Sequence, residues 1–160
     1  LVGSEMCIRD SNNGELIIPQ IETQNLNLLD AEGNTFNFST GKWYLVHFDD
    51  FQNKTFSLDR YKLATSLKLT LPRESHRLRR VVIYKDKELF ASATDLKEQF
   101  PQIIFLYDKD NMFENRISSQ LNNPYFSKSM FLIDSFSNVM EEFNVSLTFS
   151  EIFEDLKVLL

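Results

Sequence analysis

His47, Asp49 and Asp50 fall within four positions of one another, close enough for an imidazole and a carboxylate to share a proton or hold a cation. Set against that chemistry is a plainer one. His47 lies inside an apolar run and reads as a satisfied core or edge histidine, and the two acids read as solvated ends of a strand. Nothing in the spacing adds a third member of a catalytic set. Met112, Met130 and Met140 are thioethers of the kind copper(I) selects, but they are scattered and read as core filler. Glu141 and Glu142 are adjacent, so in a strand they point to opposite faces, which is poor for a shared proton. Cys7 is the only thiol, so no internal disulfide forms, and one Cys with two His cannot build a four-ligand zinc site. No Ser-His-Asp set, phosphate loop or nucleotide fingerprint is present.

The elements that position His47 and the two acids are read from residues 41–61, GKWYLVHFDDFQNKTFSLDRY. Trp43–Phe48 is aromatic and β-branched with little polar alternation, which suits the centre of a buried sheet. Asp49–Lys54 is a polar loop. A helix is expected from about Leu58 to Leu69, capped by Ser57, with Asp59 in its first turn and Pro72 at its end. In α/β proteins the loop leaving the carboxyl end of a central strand is where ligands gather.

Upstream, residues 11–24 read as an extended arm interrupted at Pro19. Leu26–Leu29 and Thr35–Phe38 read as a hairpin around Gly33. Downstream, a basic cluster (Arg73, His76, Arg77, Arg79, Arg80) is either a solvated helix exit or a docking patch for an acidic partner or lipid headgroups. Strands are expected from Val81 to Tyr84, entered from Leu78, and from Ile103 to Tyr107. Ser92–Asp95 resembles a capping box for a short helix carrying Leu96 and Phe100. Phe113, Ile117 and Leu121 recur at helical spacing, and Asn122-Asn123-Pro124 breaks that helix. Met130–Ile133 and Val139–Phe143 form a second hairpin. Thr148 and Glu151 cap a last helix whose apolar stripe is Phe149, Ile152, Phe153, Leu156, Leu159 and Leu160. The order predicts an α/β domain of thioredoxin-like fold over residues 25–160. It has a mixed central sheet, helices on both faces and an N-terminal β-hairpin.

Composition bounds the rest. A chain of 160 residues that is 42% hydrophobic, with fifteen Phe, is one domain with a Phe-rich core. A net charge of −6 argues against general nucleic-acid binding. No apolar run reaches the roughly 18 residues of a membrane helix, and no secretory signal is visible. Residues 1–10, LVGSEMCIRD, lack continuity of composition with the rest of the chain. They resemble translated adaptor read-through at the end of an open reading frame from environmental sequencing. On that reading Cys7 is not native, and the true N-terminus, with any anchor, lies outside this sequence. A genuine flexible tail is the alternative.

GKWYLVHF (41–48), the helix with an Arg-rich exit, RVVIY (80–84), FLIDSFSNVMEEF (131–143) and IFEDLKVLL (152–160) together resemble the SCO-like branch of the thioredoxin superfamily. The likeness is greatest to small membrane-anchored proteins found beside cytochrome c oxidase assembly genes in proteobacteria. NNGELIIP (12–19) resembles the segment following their anchor. Chemically active members carry Cys-x-x-x-Cys after the central strand and a His before the late strand. The resemblance places those cysteines at Asn53 and Ser57 and the His near Phe126. Asn and Ser offer only hard oxygens or an amide to copper(I), and neither makes the thiolate that disulfide exchange needs. The resemblance therefore implies a non-catalytic binding or chaperone-like module without metal or cofactor, in respiratory oxidase assembly, on the periplasmic face of the inner membrane. Its expected partner is a protein, met by the surface of Asp49, Asp50, Phe51 and Asn53 near Phe126. The alternatives are an enzyme using His47, Asp49 and Asp50, or a metal carrier using Met130 and His47.

Overall fold

The computed structural model of the chain describes residues 12–72 and 77–160. The reading of residues 1–10, with Cys7, lies outside the described residues, as do Arg73 and His76 of the basic cluster. The strands are β1 (Glu15–Glu22), β2 (Leu28–Leu29), β3 (Thr35–Phe36), β4 (Trp43–Phe48), β5 (Leu78–Tyr84), β6 (Ile104–Asp108), β7 (Met130–Ile133) and β8 (Asn138–Phe143). The helices are α1 (Lys54–Thr70), α2 (Lys87–Ser92), α3 (Thr94–Gln99), α4 (Met112–Ser118), α5 (Pro124–Ser127) and α6 (Phe149–Leu159).

All eight strands join one sheet in the order β1-β8-β7-β4-β5-β6-β2-β3. The apolar run of β4 is buried at every position and runs parallel to β5 and antiparallel to β7, with Val46 opposite Val81 and Phe131. Alternation along the strands sends Tyr44, Val46 and Phe48 to one face, against Phe113 and Ile117 of α4 and Tyr125 of α5. Trp43 and Leu45 go to the other, where Ala64 and Leu67 of α1 and Ile152 and Leu156 of α6 cover them. Tyr61, Leu96 and Val82 extend that second layer toward α3. This is the mixed sheet with helices on both faces that the element order predicts, and the β2–β3 hairpin sits on its far edge.

Four expectations change. Residues 11–24 contain an edge strand: β1 pairs antiparallel with β8 at both its ends, and the register slips between Leu16 and Ile21, around the cis Ile18–Pro19 bond. Pro19 interrupts the pairing locally without ending it. The first helix begins a full turn before the expected start, because Asn53 is an equally good cap and its Oδ1 accepts the Phe56 N–H at 3.0 Å. Ser57 and Asp59 are therefore interior helical residues. The Ser92–Asp95 capping box does not form: Asp86 caps α2 by accepting from Leu89, and α3 begins after Ala93 with no side-chain cap. The helix expected as far as Leu121 ends at Ser118, and Asn123 caps the short α5 beyond it. At the C-terminal end, the capping box of Thr148 and Glu151 is present in full.

Candidate functional site

The site expected after the central strand is built by the turn from β4 into α1. Asp49 comes directly after buried Phe48 and is itself only 3% exposed. Its Oδ1 accepts the Phe51 N–H at 2.8 Å, and its Oδ2 accepts the Tyr61 hydroxyl at 2.7 Å. Asp49 is thus a structural acceptor that folds the loop back, in place of the solvated strand-end acid expected. Burial, then the Asp49 charge and hydrogen bond, push the Tyr61 phenol well above its ordinary pKa. Asp50 is partly exposed: its Oδ1 accepts from Gln52 N at 3.1 Å, and its Oδ2 lies 3.7 Å from Lys128 Nζ. Phe51 adopts the left-handed conformation, φ 58°, to make the bend.

His47 is 5% exposed, and neither ring nitrogen finds a hydrogen-bond partner among the described residues. It is a core histidine, but not a satisfied one. Its ring sits 6.1 Å from Phe56 and 6.4 Å from Tyr61, centroid to centroid, and its strand position pairs with Met130. Desolvation lowers its pKa to about 4, partly opposed by the Asp49 charge and assisted by Arg60 and Lys128. It makes no hydrogen bond to Asp49 or Asp50, so the proton-sharing set considered from sequence is not assembled.

Asn53 and Ser57 stand one helical turn apart at the start of α1. Asn53 is exposed and holds the cap, while Ser57 is 1% exposed and its Oγ has no partner among the described residues. Phe126, on α5, is 91% exposed. Lys128, not Phe126, reaches across to the loop: its ammonium lies 5.6 Å from the Phe56 ring centroid and near Asp50. Sequence reasoning passed over Lys128, Arg60 and Phe56. Arg60 is buried, donates to Val145 O at 3.0 Å, and lies 5.2 Å from the Phe56 ring. The i, i+4 spacing of Phe56 and Arg60 was the available signal.

A second polar cluster flanks the site at the carboxyl ends of β5 and β6. Lys85 pairs with Glu114 at 3.0 Å and covers the Tyr125 ring at 4.7 Å, and Asn123 donates to Glu114 at 2.7 Å. Asp108 accepts the Phe113 and Glu114 N–H groups at the start of α4.

The donors do not suit copper(I). Asn53 Oδ1 is engaged as a cap, Ser57 supplies a hydroxyl, and Phe126 supplies no donor. Of the methionines, Met112 lies on the α4 face, while Met130 and Met140 are buried on the α1–α6 face. Among the described residues no group of three or more His, Cys, Asp or Glu could hold a metal ion, and no helix is long and apolar enough to cross a membrane.

No protein-family model matches the sequence, and no curated protein matches it. Solved structures do match in fold. One is BsSco, described as a member of the Sco family of cytochrome c oxidase assembly proteins with a disulfide switch; it is 15% identical, with a TM-score of 0.63 over 88% of this chain and 94% of that one. Yeast Sco1 with copper bound is 16% identical, with a TM-score of 0.62 over 89% of each chain. A SCO1/SenC family lipoprotein from Bacillus anthracis is 16% identical, with a TM-score of 0.62 over 89% of this chain and 98% of that one. The chain has the thioredoxin-like fold of these Sco proteins.

Proposed function

We propose that this chain is a redox-inactive, Sco-like thioredoxin domain that acts as a binding or chaperone-like module in respiratory cytochrome oxidase assembly. The observation that carries the reading is the state of the loop after β4. One position assigned to a cysteine is occupied by a helix cap, Asn53, and the other by a buried hydroxyl, Ser57. Neither can form a thiolate or offer copper(I) a soft ligand. The fold match to a protein described as an oxidase assembly factor supports the pathway, and the match to a lipoprotein supports attachment at a membrane surface, while the periplasmic side rests on the sequence resemblance alone. The surface that meets the protein partner is Asp50, Phe51 and Asn53 on the loop, with the exposed Phe126 and the half-buried Lys128 on the neighbouring α5 end.

The test is a copper(I) titration of the full chain carrying Cys7→Ser, against a competing chelator. No tight one-to-one binding is expected, and a triple variant with Asn53→Cys, Ser57→Cys and Phe126→His is expected to gain it. Tight binding by the Cys7→Ser chain alone overturns the redox-inactive reading. Failure of the triple variant overturns the assignment of these three positions.

A further inference from the structure

This acidic chain concentrates basic charge where α1 turns into β5: residues 61–84 hold six Lys or Arg and one acid, against a net charge of −6 overall. The fold brings Lys68, Arg77, Arg79 and Arg80 to one end of the sheet, where β4 and β5 begin and β7 ends. Trp43 pairs with Leu78, so Lys42 and Arg77, one residue ahead of them, enter neighbouring strands. Lys68, in the last turn of α1, donates to the Leu78 carbonyl at 2.7 Å, which sets the helix end beside them. Burial, then the Arg79 and Arg80 charges, lower the Lys68 pKa, as crowding of cations does. Two large apolar side chains protrude at the same end. Leu69 follows Lys68 and is 78% exposed, and Phe136, in the β7–β8 turn, is 77% exposed. That turn is fastened to the start of β4 by the Gly41 N–H, which donates to the Ser135 carbonyl at 2.8 Å. The acid in the turn, Asp134, is buried and accepts the Phe136 and Asn138 N–H groups. Glu22, at the end of β1, and Glu98, ahead of β6, lie to either side.

We propose that this end of the sheet docks on an anionic phospholipid surface, with Lys42, Lys68, Arg77 and Arg79 at the headgroup phosphates and Leu69 and Phe136 entering the acyl boundary. Basic residues near an anionic leaflet are drawn to it, and apolar side chains standing among them reach the layer beneath the headgroups. A bilayer adapts to both at once. A protein partner would have to offer acids and two separate pockets in one fixed layout. The loop after β4 leaves the opposite end of that strand, so a chain seated this way points Asp50, Phe51 and Asn53 away from the bilayer. The two faces share no residue, and failure of the lipid face leaves the docking loop standing.

The experiment is co-sedimentation of the full chain with vesicles of phosphatidylcholine containing one-third phosphatidylglycerol, beside vesicles of phosphatidylcholine alone. Binding is expected to the anionic vesicles only, and to weaken as salt is raised. Because the whole chain is acidic, general attraction cannot supply it. Lys42→Gln and Arg77→Gln are each expected to weaken binding about fivefold, the worth of one basic residue near the surface. Leu69→Ser and Phe136→Ser are each expected to weaken it several-fold, and their exposure lets both variants fold, which melting curves check. Ile18→Ser is the control for general stickiness, since Ile18 is 78% exposed but lies in β1 on the sheet edge. It should bind as the wild type does. Equal binding to neutral vesicles, or a loss in Ile18→Ser equal to that in Leu69→Ser, overturns the proposal. So does no binding to either vesicle. Capture on immobilised polyglutamate that depends on Lys42 and Arg77, without vesicle binding, assigns the face to an acidic protein and overturns the lipid assignment.

Discussion

Tyr61 donates its hydroxyl to Asp49 Oδ2 at 2.7 Å, and this bond ties the middle of α1 to the end of the central strand. Both residues are buried, and the other carboxylate oxygen holds the Phe51 N–H. The loop that carries the candidate surface is therefore fixed from both ends. Tyr61→Phe removes one donor and leaves a buried carboxylate oxygen short of a partner, so a loss of about 1–3 kcal/mol is expected. Urea unfolding of Tyr61→Phe, Asp49→Asn and the double variant gives the coupling directly. Strictly additive losses would show that the two side chains do not act together.

His47 makes stability depend on pH in a window that its own shift defines. Its pKa is lowered from 6.5 to about 4 in the folded chain. Above the higher value the imidazole is neutral in both states and adds no pH dependence. Between the two values the unfolded chain takes up a proton that the folded chain refuses, so stability falls as pH falls. Below the lower value the loss is complete, on the order of 3 kcal/mol. Carboxylates also titrate at the acid end, so the measurement is the difference between the wild type and His47→Leu across that window. The variant should lose this component, and at neutral pH it should be no less stable, because both ring nitrogens lack partners among the described residues. Parallel pH profiles for the two proteins would contradict a neutral, buried imidazole.

Asn53 has two separable roles, as cap and as part of the proposed docking surface. Asn53→Ala is expected to cost about 1 kcal/mol through loss of the bond to Phe56 N, with the fold retained. Asn53→Ser keeps a capping oxygen and should cost a few tenths of that. A partner that reads the surface should be weakened by both variants, and more so when Asp50→Ala is added. Thermal melts beside binding measurements separate the two. Partner affinity that tracks stability alone would confine Asn53 to capping.

The central elements were legible because their signals are local and mutually consistent. The unbroken apolar run of β4 has no stable place except between two layers, and Thr148 with Glu151 announces α6 from four residues. The start of α1 was misread because Asn53 and Ser57 are both competent caps, and only the sheet beneath decides that Ser57 faces inward. The site was less legible still. Asp49 looks like a surface acid until Tyr61, twelve residues away, is seen to reach it. Lys128 comes to Asp50 from far along the chain by a left-handed turn at the end of α5, and no sequence period encodes that approach.

The segment before residue 25 was the least legible, because Pro19 argues against a strand and the partner that overrules it, β8, comes more than a hundred residues later. Two contacts show how firmly this segment is held. The Asn13 and Gly14 N–H groups donate to the buried Asp155 carboxylate of α6, at 3.0 Å and 2.9 Å. A Cβ on Gly14 would stand 2.6 Å from Glu141 Oε2, 2.7 Å from Phe143 Cδ1 and 2.9 Å from the Glu142 carbonyl oxygen. The last of these is backbone and cannot swing away, so Gly14→Ala must displace β1 from β8. A loss of about 1–3 kcal/mol is expected from that overpacking. Asp155→Ala should cost a comparable amount by leaving two N–H groups unpaired. The two changes act on one junction, so the double variant should lose less than the sum. Urea unfolding and amide exchange of β8 read both effects: β8 amides that face β1 should exchange faster in either variant, while β4 stays protected. Unaltered exchange in β8 with Gly14→Ala would mean that the strand is only loosely applied to the sheet.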